Sequence, residues 1–382
     1  MNFDKLNDFL DYYLPMTGTP GSDTIIYKDH EQIYRHTSGY DNKILKTPVK
    51  ENAMYNIYSC TKILAGVAAA QLVERGEILT NDPVYAYLPE FSSLMIKVKD
   101  ENGAVIGERP ATKPLLIKHL LTMTSGLDYN LDRPAVKKVV ENTDGKAPTL
   151  DICRAFALDP FDFEPGERYQ YSLSLDLMGG IVEVVSGMPL CEYVKENILD
   201  PLGMNETAFR PDYTKRDRFA TQYAKNAQTG SIEIVPFDFN RFRFGTEYDS
   251  LGAGVVSTVN DYILLMDALA NDGVGKTKER ILSRAAIDLI RTNLLDEKIR
   301  KEAFANTQCV GYGYNFGMRT CMNRSESGNL ASVGSFGWDG WKGCFAIADP
   351  EKRIAVFHAE HLECNHPFIL PRLRNAIYSC LD

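Results

Sequence analysis

The sequence predicts an α+β protein: one antiparallel sheet assembled from both ends of the chain, flanked by terminal helices, with a mainly helical domain inserted. Three observations predict it. Stretches rich in Ile, Val, Phe and Tyr gather near residues 25–39 and again beyond residue 310. Helical patterns, punctuated by Gly and Pro, dominate from about residue 114 to 290. Both termini read as helices. The boundaries that follow are a sheet domain from 1–75 and 300–382 and a helical domain from 76–299, with the active site expected at their interface.

Each element has its own signal. In MNFDKLNDFLDYYLPM, Phe3, Leu6, Phe9, Leu10 and Tyr13 fall at helical spacing. TIIYKDHEQIYRHTSGY reads as a hairpin, with apolar Ile25–Tyr27, a polar turn, then Ile33 and Tyr34. A helix follows from Ser59 to near Gly76. The stretch 100–103, DENG, is a hairpin turn. Helices are predicted over Leu115–Met123, Asp151–Ala157, Asp176–Ser186, Cys191–Leu199, Val259–Leu269 and Arg284–Leu294. GYGYNFGMRT, LASVGSFGWDG, GCFAIADP and RIAVFHAEH read as strands, DPEKR as a turn, and 367–380 as the last helix.

Composition narrows the function classes. With 382 residues, 44% hydrophobic and 24% charged, the chain has material for a large core. A net charge of -9 gives no basic footprint for nucleic acid or anionic membranes. No run approaches the ~18 apolar residues of a membrane span. The first residues lack the basic and continuous apolar regions of a secretory signal, so a cytoplasmic location is expected. Eight scattered cysteines without CxxC spacing are then expected to be reduced thiols. His358, His361, Cys364 and His366 near the end match neither a helical nor a strand metal-ligand spacing, so neither metal nor other cofactor is expected.

The chemistry-bearing residues come in three pieces. In YNIYSCTKILAGVAAAQLVERG, Ser59 and Lys62 stand three apart, on one helical face. A serine becomes a nucleophile when a base takes its proton, and a lysine amine supplies either that base or positive potential. The helix behind them is apolar nearly all round and therefore central, where an unpartnered ammonium is costly. Its N-terminus favours a developing oxyanion. Taken alone, SxxK also arises by chance on surface helices. In PGERYQYSLSLDLMGGIVEVVSG, Tyr171 precedes a helix and is placed to face a cleft; a core tyrosine is the alternative. In GSFGWDGWKG, Gly337, Gly340 and Gly343 let a ligand approach the backbone, and both tryptophans of the chain, Trp338 and Trp341, lie there. A bulge with core aromatics is the alternative.

The order of these motifs resembles that of serine β-lactamase and penicillin-binding-protein-like hydrolases, in particular class C β-lactamases and family VIII carboxylesterases. ERGEILTNDPVYAYLPEF, IKHLLTMTSGL and LGAGVVSTVNDYILLMDALANDG are similar to further segments of that family, so the resemblance spans most of the chain. It implies the β-lactamase/transpeptidase-like fold, with Ser59 as the acylated nucleophile. Lys62 and Tyr171 would share the proton traffic, with the identity of the base left open. The Ser59 N–H and an N–H in the Gly340–Trp341–Lys342 region would form the oxyanion hole.

The departures from the family pattern shape the expected substrate. Leu173 stands where β-lactamases carry an amide. Trp338-Asp339-Gly340 stands where they carry Lys-Thr-Gly, and Met123 where the family often carries His. The resemblance therefore implies Leu173, Trp338, Asp339, Gly340 and Trp341 as substrate-binding or oxyanion residues, an apolar acyl pocket with weak carboxylate recognition, and a small-molecule substrate that is an ester, or an amide, in preference to a lactam. Asp339 would repel an anionic substrate if it faced inward. The competing readings are a β-lactamase or D-Ala-D-Ala carboxypeptidase, an acyltransferase, and a catalytically silent module. Cys60 points ~100° away from Ser59 and is expected to pack; His119 reads as a satisfied histidine at a helix end, and Lys342 as solvated.

Overall fold

The computed structural model describes residues 1–236, 242–363 and 366–381, with the side chains of residues 366 and 367 excluded. Its centre is an eight-stranded antiparallel sheet. The strands run in the order Tyr312–Asn315, Met318–Cys321, Phe336–Gly337, Phe345–Asp349, Ile354–Ala359, Gly21–Lys28, Glu31–Asn42 and Thr47–Pro48. The first strand of the chain thus pairs with the last strand of the sheet, with Ile25 opposite Phe357 on one side and Arg35 on the other. Asp29 and His30 both have positive φ, 48° and 69°, which closes the first hairpin with the twist its strands require. A mixed α/β architecture with a sheet built from both ends is what the sequence predicts.

Alternation along the strands separates two cores. Ile26, Phe345, Ile347, Ile354 and Val356 face one side and pack against Leu6, Leu10 and Leu14 of the first helical segment and Ile369, Leu370, Leu373 and Ile377 of the last helix, His366–Tyr378. Ile25, Ala346, Ala348, Ala355 and Phe357 face the other side and join the main core. There they meet the Thr61–Glu74 and Val259–Ala270 helices; Tyr262 and Phe357 place ring centroids 4.5 Å apart. The Thr61–Glu74 helix is buried on every face through Leu72. Gly66 allows this depth: a Cβ there would lie 2.4 Å from the Phe316 carbonyl oxygen, at the turn of the Tyr312–Cys321 hairpin. Among the described residues, no single helix is long and apolar enough to cross a membrane.

The helical segment contains Ile117–Leu121, Pro134–Asn142, Thr149–Ala155, Ser174–Ser186, Leu190–Val194 continuing through a π-turn to Leu202, Val259–Ala270 and Arg284–Ile290. Three details differ from the sequence reading. Pro134–Asn142 and Glu297–Phe304 are helices that the apolar periodicity did not mark, because each buries only one or two residues. LASVGSFGWDG forms only a two-residue strand, Phe336–Gly337, before the chain turns away. Three smaller sheets also form among the described residues. One pairs Met54–Asn56 with Val256–Thr258, which lays the chain entering Ser59 beside the chain leaving Gly252.

Candidate active site

Ser59 and Lys62 open the central helix from a short 3-10 turn, Tyr58–Cys60. The turn is anchored from several sides. The Tyr262 hydroxyl donates to the Cys60 carbonyl at 2.6 Å, and the Val255 N–H donates to Thr61 Oγ1 at 3.2 Å. Tyr58, fully buried, has φ of 45°, the left-handed region that bulky residues avoid. Such strain, held by surrounding packing, concentrates at functional sites.

The Lys62 ammonium, wholly buried, donates to Ser59 Oγ at 3.2 Å and to the Gly252 carbonyl at 2.7 Å. It stands 4.6 Å from the Tyr171 ring centre and 5.7 Å from that of Tyr129. Burial alone would push this ammonium down; the Tyr129 and Tyr171 phenols, with Asp176 further off, outweigh it and hold Lys62 above its ordinary value. Ser59 retains 9% exposure, enough to open onto the surface. Among the described residues its N–H has no protein acceptor, which leaves that donor free to serve an oxyanion.

Tyr171 lies between two aromatic partners. It stacks on Trp338 with centroids 5.8 Å apart and on Tyr129 at 5.7 Å, and its hydroxyl accepts from the Trp338 indole N–H at 3.1 Å. Tyr314 meets Trp338 edge-on. The structure therefore brings Ser59, Lys62, Tyr171 and Trp338 into one cluster. Lys62 is the link: among the described residues no hydrogen bond joins Tyr171 directly to Ser59. The loop preceding Tyr171's helix is fixed by a hydroxyl ladder, with Ser125 on Ser174 at 2.8 Å and Ser174 on Ser172 at 2.7 Å.

The remaining expected site residues divide. Leu173 is buried in the main core at the mouth of the Ser174–Ser186 helix and offers no polar group. Asp339 departs from the expectation that it lines the substrate site. Both its oxygens are held by Arg319, at 2.5 and 2.6 Å, so it braces the Trp338 turn and its charge is cancelled. Gly340 departs from the oxyanion expectation, because its N–H donates to the Cys344 carbonyl at 2.7 Å. Its lack of a side chain matters instead: a Cβ would lie 2.5 Å from the Ile57 carbonyl oxygen, two residues before Ser59. Trp341 turns its ring edge-on to Tyr58, with centroids 5.3 Å apart. Lys342 is not solvated but 4% exposed, with its ammonium 5.0 Å from the Trp341 ring.

Cys60 is buried beneath the site with its thiol 3.7 Å from the Trp338 carbonyl, and burial pushes that thiol well up. His119 accepts the Leu116 N–H at a helix start. His358 bonds Thr24 inside the sheet at 2.7 Å, and His361 lies between the Asn56 and Ala220 carbonyls at 3.2 and 3.3 Å. Cys364 and the side chain of His366 lie outside the described residues. Tyr129, Asp176, Gly252 and Arg319 belong to the cluster without having been singled out; Asp176, Gly252 and Arg319 lie inside stretches already quoted, whereas Tyr129 does not.

A family model described as Beta-lactamase matches residues 6–359. Esterase EstB of Burkholderia gladioli is 27% identical, with 98% of this chain and 95% of that protein covered. Acyltransferase calJ of Penicillium decumbens is 30% identical over 70% of this chain and 63% of its own length. Among solved structures, EstCE1, a hydrolase with promiscuous acyltransferase activity, superposes with a TM-score of 0.77 at 24% identity, covering 98% of this chain and 97% of the other.

Proposed function

This chain belongs to the β-lactamase family, and on that premise we propose that it is a serine hydrolase that cleaves small carboxylic esters through an acyl-enzyme on Ser59. The observation that carries the reading is the buried Lys62 ammonium, 3.2 Å from Ser59 Oγ and bounded by Tyr171. An ammonium that holds its proton is a poor base but a strong source of positive potential. As Oγ bonds to the ester carbonyl carbon, its proton is taken up by the Lys62–Tyr171 pair. The Ser59 N–H receives the carbonyl oxygen's developing charge, a contribution of about 3 kcal/mol for such a donor. Collapse breaks the bond to the leaving oxygen, and the proton held by that pair passes to it, releasing an alcohol. Water then repeats the sequence on the acyl-enzyme, releasing the acid and free Ser59.

The preference for esters over lactams rests on what surrounds the nucleophile. Leu173 gives no amide, and the Trp338 turn gives an indole N–H already engaged with Tyr171 together with a carboxylate sealed by Arg319. Likeness to EstB supports an ester substrate; likeness to calJ, an acyltransferase, supports acyl transfer to an acceptor other than water as a second outcome of the same intermediate. A panel of short p-nitrophenyl esters beside nitrocefin, with and without added alcohol, tests the reading. Esters are expected to turn over at least about 10-fold faster in kcat/KM; faster nitrocefin turnover would contradict it.

A further inference from the structure

Lys62 is a buried cation whose hydrogen bonds, among the described residues, go to a hydroxyl and a carbonyl and to no carboxylate. A buried charge without a counter-charge is costly. The Asp176 carboxylate, as deeply buried, lies behind the same carbonyl. Its Oδ1 accepts from the Tyr248 hydroxyl at 2.8 Å, the Ser250 hydroxyl at 2.5 Å and the Gly252 N–H at 3.3 Å. Gly252 thus gives its N–H to Asp176 and its C=O to Lys62. Asp176 Oδ2 makes no hydrogen bond and occupies the space of a side chain at 252: a Cβ there would lie 2.2 Å from it. An unsatisfied buried oxygen is expensive, and Ser250, Tyr248 and Gly252 would be served as well by a neutral amide oxygen. The feature an amide lacks is the negative charge.

We propose that Asp176 is the positioning residue for Lys62: it clamps the Tyr248–Gly252 loop so that the Gly252 carbonyl grips the ammonium, and it is that ammonium's buried counter-charge. This rests on the reading of Ser59 and Lys62 given above. The titratable groups facing the pair are Tyr129, Tyr171, Tyr248 and Cys153. Burial pushes Tyr129, Tyr248 and Cys153 up, so these three are neutral near pH 7. Burial also raises the Asp176 carboxyl, opposed by Ser250, Lys62 and Tyr248.

Asp176→Asn keeps the shape and the acceptor while removing the charge. In the folded variant, kcat/KM for p-nitrophenyl butyrate is expected to fall about 10-fold near pH 7. The alkaline limb of its pH profile is expected to move down by about one unit, because Lys62 loses a charge that holds its proton. A purely structural role would leave that limb in place. A folded Asp176→Asn with the wild-type profile overturns the proposal. If Asp176→Asn does not fold, the Tyr248→Phe, Ser250→Ala double variant removes two of the three donors while keeping the carboxylate. Its rate of acylation by a fluorophosphonate is expected to fall about 10-fold, and an unchanged rate overturns the proposal. Ser59→Ala, run in parallel, separates the two claims. Loss of labelling there with a wild-type profile in Asp176→Asn removes only the role of Asp176, whereas retained labelling removes the underlying reading as well.

Discussion

The Trp338 indole N–H donates to the Tyr171 hydroxyl at 3.1 Å while the two rings stack. One side chain from the terminal sheet thereby fixes the oxygen of another from the helical segment, 167 positions earlier in the chain. The same Tyr171 ring faces the Lys62 ammonium. Orientation of the proposed proton carrier therefore depends on the Trp338 turn as much as on its own helix.

Trp338→Phe keeps a ring to stack and removes the donor. Steady-state kinetics on p-nitrophenyl butyrate are expected to show kcat lowered about 10-fold, the scale of one hydrogen bond to a reacting group, with a smaller change in KM. Equal loss through KM alone would assign Trp338 to substrate binding.

Tyr171→Phe removes the oxygen and leaves the Lys62–Ser59 contact intact. The expected loss in kcat is about 10² or more, as for a general acid–base group. Activity near that of the wild type would leave Lys62 as the proton acceptor.

Arg319→Ala strands the Asp339 carboxylate in a buried position, since the pair has side-chain exposures of 4% and 11%. Breaking such a pair costs about 3–5 kcal/mol, readable by urea unfolding. Arg319→Lys is expected to recover only part of it, because an ammonium cannot reproduce the two-pronged contact. Both variants are also expected to lower kcat through the Trp338 turn.

His361 gives the stability a pH dependence. Burial pushes its ring down to about 4, against the two carbonyls that favour its proton. A ring whose pKa is lower folded than unfolded contributes in full above the unfolded value of about 6.5 and is lost as the pH falls from there towards the folded value. Between pH 7.5 and 5 the loss from this residue is on the order of 2 kcal/mol. Asp23, raised by burial to about 6, works in the opposite direction over part of that range. The His361 increment is therefore read as a difference: His361→Asn is expected to show a shallower fall in unfolding free energy between the two pH values than the parent. Equal slopes would mean that the ring titrates normally.

How much was legible in the sequence depended on the range of the interaction that decides each feature. Ser59 and Lys62 sit three apart on one helix, so their meeting follows from local geometry. The Asp29-His30 turn followed from hairpin patterning alone. Gly252 reaches Lys62 across 190 positions, and nothing near either residue announces it. Which way Asp339 faces was not legible, because its partner, Arg319, lies on a neighbouring strand whose register with the Trp338 turn is a tertiary fact. Lys342 read as solvated because lysines usually are; it is buried, with its ammonium over the Trp341 ring. The left-handed backbone at Tyr58 has no sequence signal at all, since tyrosine is not a residue that favours it.

The central claim is that the hydroxyl activated beside Lys62 becomes acylated. Intact-mass and peptide mass spectrometry of the protein treated with a fluorophosphonate test it most directly. The expected result is a single adduct on Ser59, lost in Ser59→Ala together with turnover of p-nitrophenyl butyrate. An adduct on another residue, or undiminished ester turnover in Ser59→Ala, would contradict it.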